Sequence, residues 1–317
     1  MRILVTGGSG FVGSRLISKL VSGDHEVLAL SRSAASDDKV SALGATPLRG
    51  DLEDAGPLAL PALDAVVHSA AYFHFAGPRQ PYFRTNVDGT AALLTAAEQA
   101  GARRFVQVSA AGIVMDDKGS KLRNVDESAP TYPDSFSGYL ASKARSEALV
   151  LAADKPDFRT IALRPPGIWG PGDAYGREIP RAIGSGRFAF IDRGDYPCST
   201  CHVDNLIEAI ELALASRIGG RAYFVNDREP TTFRDFIASL AALQGLGIDK
   251  VRSMPYGLLF FIGRLMEIVS SDRDPPLSRS LVRMIGREST TDDSAARRDL
   301  GYVGHVTRAA GLASYKG

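Results

Sequence analysis

Short apolar runs and helically spaced apolar positions alternate along the first 110 residues of the chain. Ile3-Leu4-Val5 is a continuous apolar run, which is typical of a strand buried on both faces. Residues 11–21 then carry apolar side chains at helical spacing, and Gly23 follows as a helix-stop signal. The alternation continues with strands predicted at residues 27–30, 65–68 and 105–108 and a helix over residues 90–100. This pattern predicts an α/β fold built on a doubly wound parallel sheet.

The alternation becomes weaker in the second half of the chain. A long helix is predicted over residues 136–153 and a strand over residues 158–163. Residues 165–198 are rich in Pro and Gly, which predicts a set of ordered loops near a site. The region after residue 250 has a helical and irregular pattern, so we expect a smaller, mostly helical C-terminal part.

The composition is that of an ordinary globular protein, since 44% of the 317 residues are hydrophobic and 23% are charged. This balance excludes a disordered chain. Lys and Arg total 37 against 36 for Asp and Glu, and the net charge of +1 provides no field that would gather nucleic acid or anionic lipid. We therefore expect no nucleic-acid partner.

Two cysteines in the whole chain exclude a disulfide scaffold and favour a reducing compartment. The amino terminus reaches Gly7 after one short apolar run, which does not fit a secretory signal. The longest apolar stretch, residues 255–269, contains Arg264 and Glu267 and is too short to span a bilayer. We therefore expect a cytoplasmic protein without a membrane span.

A glycine-rich segment lies between the first predicted strand and the first predicted helix. Gly7, Gly10 and Gly13 repeat at intervals of three residues, with Phe11 and Val12 opening the helix. In such a turn one glycine makes the tight bend, another lets a pyrophosphate approach bare backbone, and the third lets the helix pack close to the strand. The amides at the helix N-terminus then attract the phosphates. The segment predicts a dinucleotide-binding site.

The tip of the second strand bears on which nicotinamide nucleotide would bind. A carboxylate at this position binds both ribose hydroxyls of NAD, but here Ser31 is followed by Arg32. A guanidinium can pair with the 2′-phosphate of NADP, so we expect NADP(H) rather than NAD(H). The alternative is that Arg32 is a solvated surface residue. Asp51 and Leu52, after the presumed third strand, are placed to meet the adenine, although an exposed turn would explain Asp51 as well.

Tyr139 and Lys143 are four residues apart on the long predicted helix, which places their Cβ atoms on one face about 6 Å apart. A phenol with a pKa of ~10 is a poor base at neutral pH. A neighbouring ammonium and the positive nicotinamide of an oxidised cofactor would lower that pKa. Tyr139 could then exchange a proton with an alcohol or carbonyl while hydride moves to or from the nicotinamide. In isolation such a pair is usually a surface feature; its place after a dinucleotide turn favours catalysis.

Several segments of the chain together carry a family resemblance: residues 6–13, 51–52, 68–71, 86–90, 104–109, 139–143, 163–165, 170–172 and 202–205. Taken in order, they resemble the short-chain dehydrogenase/reductase family, extended type, with its NAD-dependent epimerase/dehydratase members. Residues 224–230 and 295–302 are also similar to the 3β-hydroxysteroid dehydrogenase-like branch. The resemblance covers about residues 1–230.

The resemblance implies two domains and a homodimer. Residues 1–164, with about 199–227, would form the NADP-binding Rossmann domain, and residues 165–198 and 228–317 the substrate domain. It also implies that Ala70, Asn86 and Pro165 contact the cofactor and that Lys143 hydrogen-bonds the nicotinamide ribose.

One departure concerns the catalytic hydroxyl of this family. The segment after the fifth predicted strand aligns Ala110 with the family's catalytic Ser or Thr and Ser109 with the residue before it. Loss of such a donor lowers the rate by roughly 10²-fold or more. We expect that Ser109 is reoriented into a catalytic role, that a nearby hydroxyl substitutes, or that the enzyme is slow. The candidate substitutes are Thr131, Ser135 and Ser137.

Three functions fit these residues. The first is an NADP(H)-dependent oxidoreductase that interconverts a secondary alcohol with a ketone or aldehyde on a largely apolar small molecule. The second is a nucleotide-sugar epimerase or dehydratase with tightly bound NAD, for which Arg177, Arg181 and Arg187 could bind a diphosphate. The third is a non-catalytic NADP-sensing protein.

The aromatic run 72–75 follows the strand predicted at residues 65–68. We expect it either to form the wall of an apolar substrate pocket or to pack as an ordinary loop.

The segment Cys198-Ser-Thr-Cys201-His202 spells a haem-attachment pattern. Two cysteines fall short of the four ligands of a structural zinc site. We interpret both as buried thiols and expect no metal.

Overall fold

The computed structural model describes residues 1–54, 58–270 and 275–316. The strands in chain order are β1 (Arg2–Thr6), β2 (Glu26–Ser31), β3 (Thr46–Arg49), β4 (Ala65–His68), β5 (Arg104–Val108), β6 (Leu122–Val125), β7 (Arg159–Arg164), β8 (Gly167–Trp169), β9 (Ala189–Ile191), β10 (Pro197–Cys198), β11 (Thr200–His202), β12 (Arg221–Phe224), β13 (Thr231–Thr232), β14 (Arg252–Met254) and β15 (Ser289–Thr291). Seven of them form a parallel sheet in the order β12-β7-β5-β4-β1-β2-β3. The prediction of a doubly wound parallel sheet, a Rossmann fold, is confirmed.

Helices flank this sheet and build the remainder of the chain. They are α1 (Phe11–Ser22), α2 (Ala34–Ala42), α3 (Arg79–Phe83), α4 (Gly89–Gln99), α5 (Gly138–Ala152), α6 (Tyr175–Gly184), α7 (Val203–Ala215), α8 (Phe233–Ala242), α9 (Tyr256–Val269), α10 (Arg279–Ile285), α11 (Ser294–Leu300) and α12 (Arg308–Ala313). A π-helical turn, Arg84–Asp88, joins α3 to α4, and short 3₁₀ turns cover Ala111–Val114, Asp192–Gly194 and Ser314–Lys316.

Alternate residues of the central strands bury opposite faces of the sheet. Ile3 and Val5 belong to one apolar cluster together with Leu16 of α1, whereas Leu4 belongs to a second cluster together with Leu93 of α4. All five side chains are fully buried. This period of two, with helices on both sides, explains why the strand reads as a continuous apolar run.

The strand order reverses between β1 and β4. The chain leaves β1 for β2 and β3 on one side and then returns to β4 on the other side of β1. The register pairs Thr6 with His68 at the carboxyl ends of these two strands. In doubly wound sheets the space outside such a switch point is where ligands bind. We call this space the switch-point crevice.

Residues 165–198 contain more regular structure than expected. The ten-residue helix α6 forms there with Pro180 inside it, together with β8, β9 and β10. A small sheet in the order β13-β10-β15-β6 then ties this region to distant segments. Strand β6 belongs to this small sheet although it lies within residues 1–164. The two-domain division stays a prediction.

The loop before α6 is held by the last described turn of the chain. The Tyr315 hydroxyl donates to the Asp173 carboxylate at 2.9 Å and accepts from the Gly170 amide at 3.0 Å. The second carboxylate oxygen of Asp173 accepts from the Gly176 amide at 2.7 Å. Tyr315 therefore fixes the loop that precedes Tyr175.

Helix α9 leaves one apolar face uncovered. Its exposed side chains are Leu258, Phe261, Leu265, Ile268 and Val269. Spacings of three and four residues place the first four on one helix face. Across the described ranges, no helix combines the length and apolarity that crossing a bilayer requires.

Candidate active site

The glycine-rich turn between β1 and α1 leaves bare backbone at the switch-point crevice. Gly7 adopts a φ of 72°, in the left-handed region that favours glycine. A Cβ on Gly7 would lie 2.8 Å from the Ala70 nitrogen, and a Cβ on Gly13 would lie 2.1 Å from the Gly7 oxygen. The Gly10 amide closes the turn by donating to the Gly7 oxygen at 3.0 Å. Side chains at these positions would therefore fill the turn.

Helix α1 begins without a side-chain cap and without an acidic residue in its first turn. Its first bond runs from the Ser14 amide to the Gly10 oxygen at 2.9 Å, so the amides of Phe11, Val12 and Gly13 have no partner within the helix. Free amides at a positive helix end fit the diphosphate of a dinucleotide. These backbone groups would hold that diphosphate.

The tip of β2 carries an exposed cation and lies close to a bound carboxylate. Arg32 is 68% exposed, and its guanidinium is 3.9 Å from the Asp51 carboxylate. Ser31 is buried and donates to the carboxylate of Asp37 in α2, which Arg49 also binds. The Ser31 hydrogen bond, with a smaller contribution from Arg49, lowers the pKa of Asp37. Asp37 therefore stays charged near this tip, a feature that its mid-helix position conceals in the sequence.

Asp51 and Leu52, which follow β3 after Gly50, have different environments. Asp51 is half-buried and accepts a hydrogen bond from the Glu53 amide at 3.1 Å. Leu52 is buried in the apolar cluster, and a Cβ on Gly89 would lie 2.9 Å from the Leu52 Cβ. The proposed contacts of Asp51 and Leu52 with adenine stay predictions.

A buried hydrogen-bond chain locks the carboxyl ends of β1 and β4 together. His68 contacts the Thr6 hydroxyl through Nδ1 at 2.7 Å and the Thr90 hydroxyl through Nε2 at 2.9 Å. The Thr90 hydroxyl donates its proton to the backbone oxygen of Asn86 at 2.7 Å and can therefore only accept from His68. We assign the ring proton to His68 Nε2. Burial lowers the pKa of His68 to about 3, with a smaller contribution from Lys143. The neutral ring is a structural link, and Thr6 also accepts from the Ala70 amide at 3.1 Å.

Asn86 joins the loop after β4 to α5. Its side-chain oxygen accepts from the Tyr72 amide at 2.7 Å. Its side-chain nitrogen donates to the Tyr72 backbone oxygen at 3.0 Å and to the Ser142 hydroxyl at 2.9 Å. The side chain is buried and bonded at both ends of its amide. In the structure, Asn86 thus links the loop after β4 to α5. Its contact with a cofactor stays a prediction.

Lys143 is buried under the crevice. Its Nζ donates to the Val108 oxygen at the end of β5 at 2.6 Å. Burial lowers the pKa of Lys143 to about 8, and the carboxylate of Glu147 opposes this shift. Glu147 is itself buried and forms a bidentate pair with Arg164, with the closest contact at 2.6 Å. This buried ion pair was not predicted from the sequence, because its two partners lie on different elements.

Tyr139 lies one helical turn before Lys143 and contacts an aromatic residue across the crevice. The rings of Tyr139 and Phe73 meet edge to face at 4.7 Å. Phe73 remains 45% exposed and also meets Phe75 at 4.9 Å. The run 72–75 thus packs beside Tyr139, and both interpretations of it, apolar wall and ordinary loop packing, stay predictions.

The protonation state of Tyr139 differs from the expectation. Burial raises the pKa of Tyr139 to about 12, with a smaller contribution from Tyr175. The predicted lowering of this pKa is therefore wrong for the protein without a bound nucleotide, because burial disfavours the charged phenolate. Tyr139 is a protonated phenol, which is the form that can donate a proton.

The residues after β5 and β7 lie side by side. The Ser109 amide donates to the Leu163 oxygen at 2.7 Å, and the Ala111 amide donates to the Pro165 oxygen at 2.8 Å. Ala110 is partly exposed between them, whereas the Ser109 hydroxyl is buried and lacks a hydrogen-bond partner in the described part of the chain. Ser109 follows Val108, whose oxygen binds Lys143, but the Ser109 hydroxyl is turned inward. Its catalytic role stays a prediction, as does the contact of Pro165 with a cofactor.

Two of the three candidate substitute hydroxyls are already bound. Ser135 donates to the Asp117 carboxylate at 2.7 Å, and Ser137 caps α5 by accepting from the Leu140 amide at 3.4 Å. Thr131, the third, is half-buried.

The cysteine motif contributes to packing. Cys201 is fully buried and Cys198 is half-buried, and both are free thiols. Burial raises the pKa of Cys198 to about 12. His202 serves as the N-terminal cap of α7, with Nδ1 accepting from the Asp204 amide at 3.2 Å.

Comparison with known proteins agrees with this geometry. The model of the 3-beta hydroxysteroid dehydrogenase/isomerase family matches residues 4–256. A 4-hydroxy-2-methyl-3-oxo-4-farnesyl-3,4-dihydroquinoline-1-oxide ketoreductase of Stigmatella aurantiaca is 40% identical over 98% of this chain and 95% of its own length. A 2-alkyl-3-oxoalkanoate reductase of Stenotrophomonas maltophilia is 33% identical over 100% and 98%. A dTDP-glucose 4,6-dehydratase of Streptomyces venezuelae, solved with NAD, superimposes with a TM-score of 0.78 at 26% identity, covering 99% of this chain and 95% of that one.

The fold and these relatives define an oxidoreductase of the extended short-chain dehydrogenase/reductase type, which uses a nicotinamide nucleotide. Within that class, the chain belongs to the 3-beta hydroxysteroid dehydrogenase/isomerase family, whose model matches most of its length.

Proposed function

We propose that this protein is an NADPH-dependent ketoreductase whose substrate carries a ketone beside an alkylated carbon. The protonated phenol of Tyr139, placed beside the buried Lys143 and against the exposed ring of Phe73, carries this proposal. Two relatives are named for a 3-oxo group next to a 2-alkyl or 2-methyl carbon, which supports the same ketone chemistry here.

When bound, the reduced nicotinamide supplies the hydride that adds to the carbonyl carbon. The protein supplies the rest. The turn at Gly7 and the amides of Phe11 and Val12 bind the diphosphate, Tyr139 donates the proton to the carbonyl oxygen, and Lys143 orients the nicotinamide ribose. With a pKa of about 12, Tyr139 carries its proton at neutral pH, and this is the form that ketone reduction requires.

The surface charges near α6 give little support to a nucleotide-sugar substrate. Arg177 and Arg181, considered above as diphosphate ligands, both pair with Glu178 on the exposed surface of α6, at 3.0 Å and 3.4 Å. Arg187 donates to the Ser185 hydroxyl at 3.0 Å and is likewise exposed. These contacts favour a ketone substrate over the epimerase or dehydratase alternative.

Turnover assays test the proposed function directly. With ethyl 2-methylacetoacetate as substrate, we expect oxidation of one NADPH for each alcohol formed. With UDP-glucose and dTDP-glucose as the comparison substrates, we expect no conversion. Conversion of a nucleotide sugar without net cofactor oxidation would contradict the proposal and favour the epimerase or dehydratase alternative.

The Arg32→Ala variant tests the choice of cofactor. Loss of one charge-assisted hydrogen bond to the 2′-phosphate costs about 1.5–3 kcal/mol, so we expect the Kd for NADPH to rise by about 10- to 100-fold. The Kd for NADH, measured by the same fluorescence titration, should stay unchanged because NADH lacks that phosphate. Equal affinities of the unmodified protein for the two nucleotides would refute the assignment to NADP.

A homodimer in the cytoplasm remains part of the proposal. The uncovered apolar face of α9 is compatible with a partner surface.

A further inference from the structure

The position that faces the crevice after β5 lacks a hydroxyl, because it is Ala110. The neighbouring Ser109 hydroxyl is buried, and those of Ser135 and Ser137 are bound within their own loop. A carbonyl oxygen held by Tyr139 alone would receive one hydrogen bond where the reaction benefits from two. A second hydrogen-bond donor to this carbonyl oxygen would therefore have to come from elsewhere in the chain.

The segment beside Ala110 comes from the carboxyl end of β7. The hydrogen bond between the Ala111 amide and the Pro165 oxygen, at 2.8 Å, places residues 110 and 165 side by side. Two residues further along is Gly167, which is partly exposed. Side chains that reach Gly167 are therefore close to the position that lacks the hydroxyl.

Tyr175 reaches this point from the first residue of α6. Its hydroxyl lies 3.0 Å from where a Cβ on Gly167 would stand, so the missing side chain of Gly167 makes room for it. The Tyr175 ring packs edge to face against Phe236 at 6.2 Å, which fixes its direction. The loop before it is held by Tyr315, as described above. Tyr175 is thus oriented from both sides.

Tyr175 reaches the end of β7 and Tyr139 stands on α5 one turn before Lys143, whose Nζ binds the end of β5. Tyr175 also makes the smaller contribution to the raised pKa of Tyr139, so the two phenols interact. Burial also raises the pKa of Tyr175 to about 12, so it keeps its proton throughout the physiological range. Neither hydroxyl has a hydrogen-bond partner within the described ranges, and both are free to bind a substrate oxygen.

We infer that Tyr175 is a second catalytic residue, which donates a hydrogen bond to the reacting carbonyl oxygen in place of the hydroxyl that Ala110 lacks. This inference rests on the proposed ketone reduction. As hydride adds to the carbonyl carbon, the C=O π pair becomes a lone pair on oxygen, and that oxygen takes the proton of Tyr139. Tyr175 keeps its own proton and stabilises the developing charge; water then reprotonates Tyr139.

The Tyr175→Phe variant, with and without Ala110→Ser, tests this role. With ethyl 2-methylacetoacetate and NADPH, Tyr175→Phe should lower kcat by about 10²-fold, the usual effect of losing one such donor. The Kd for NADPH and the melting temperature should stay unchanged. Ala110→Ser, added to the Tyr175→Phe variant, restores a hydroxyl on the same side of the oxygen and should recover much of the lost kcat.

Two control variants make the result specific. Tyr196→Phe removes a phenol hydroxyl from the same apolar cluster as Phe236 of α8. That hydroxyl binds the Ile285 oxygen at 2.6 Å, and its removal should leave kcat unchanged. Thr131→Val tests the remaining candidate hydroxyl and should also leave kcat unchanged. The inference is overturned if Tyr175→Phe keeps its kcat, if only KM changes, if Ala110→Ser gives no recovery, or if the loss appears in Thr131→Val instead.

The same assay separates this inference from the proposed function. If the unmodified enzyme does not reduce the ketone, the proposed function is wrong and the role of Tyr175 falls with it. If the unmodified enzyme and Tyr175→Phe reduce the ketone equally well, only the role of Tyr175 is wrong.

Discussion

Replacing Tyr139 with phenylalanine is expected to lower kcat for ketone reduction by about 10²- to 10⁴-fold, the range for loss of a positioned general acid. The pKa of about 12 keeps Tyr139 protonated at neutral pH, so its O–H is the proton source that the variant lacks. The phenylalanine ring preserves the edge-to-face contact with Phe73 at 4.7 Å. Steady-state oxidation of NADPH with ethyl 2-methylacetoacetate measures the effect.

A matched control is available in Tyr223, whose hydroxyl donates to Asp299 at 3.2 Å. Tyr223→Phe should leave kcat unchanged, and both variants should bind NADPH as the unmodified protein does. A Tyr139→Phe variant with substantial remaining kcat would exclude Tyr139 as the acid. Normal NADPH binding by an unmodified protein that turns over none of the ketones or sugars would instead favour the non-catalytic sensor.

Glu147→Gln is expected to destabilise the fold by about 3–5 kcal/mol, the usual cost of breaking a buried ion pair from one side. Glu147 and Arg164 are 2% and 5% exposed, and the guanidinium donates hydrogen bonds to both carboxylate oxygens. The variant leaves the Arg164 charge buried without its counter-ion. It also removes the carboxylate that supports protonation of Lys143, so the pKa of Lys143 should fall further below its value of about 8. Urea unfolding monitored by circular dichroism gives the free energy of unfolding.

The exposed pair of Asp134 and Arg145 provides the comparison. Their closest contact is also 2.6 Å, but Asp134 is 83% exposed. Asp134→Asn should change the free energy of unfolding by at most about 1 kcal/mol, because water screens an exposed pair. Similar losses in both variants would mean that burial does not set the strength of the Glu147–Arg164 pair.

The central sheet was predictable because its signal is local. Three apolar residues at 3–5, a helical pattern and Gly23 suffice to define β1 and α1, and the structure ends α1 at Ser22. The four-stranded sheet was not predictable, because β10 and β13 have two residues each and their register depends on partners far away in the chain. Helix α6 was obscured by Pro180, which is unfavourable inside a helix.

The candidate site was predictable where spacing alone determines proximity. Tyr139 and Lys143 are four residues apart on a helix, so their shared face follows from the sequence. The pKa of Tyr139 did not follow, because burial depends on packing by Phe73 and other distant residues. The role of Tyr175 did not follow from the sequence, since the space opened by Gly167 exists only in the folded chain.

The contact between Tyr315 and Asp173 has a practical consequence for anyone preparing this enzyme. A chain trimmed by a carboxypeptidase before residue 315 loses both hydrogen bonds that fasten the loop ahead of α6. The Asp173 carboxylate, which burial already makes harder to ionise, then has one donor fewer. Mass spectrometry of the intact protein should therefore precede any comparison of reaction rates between batches.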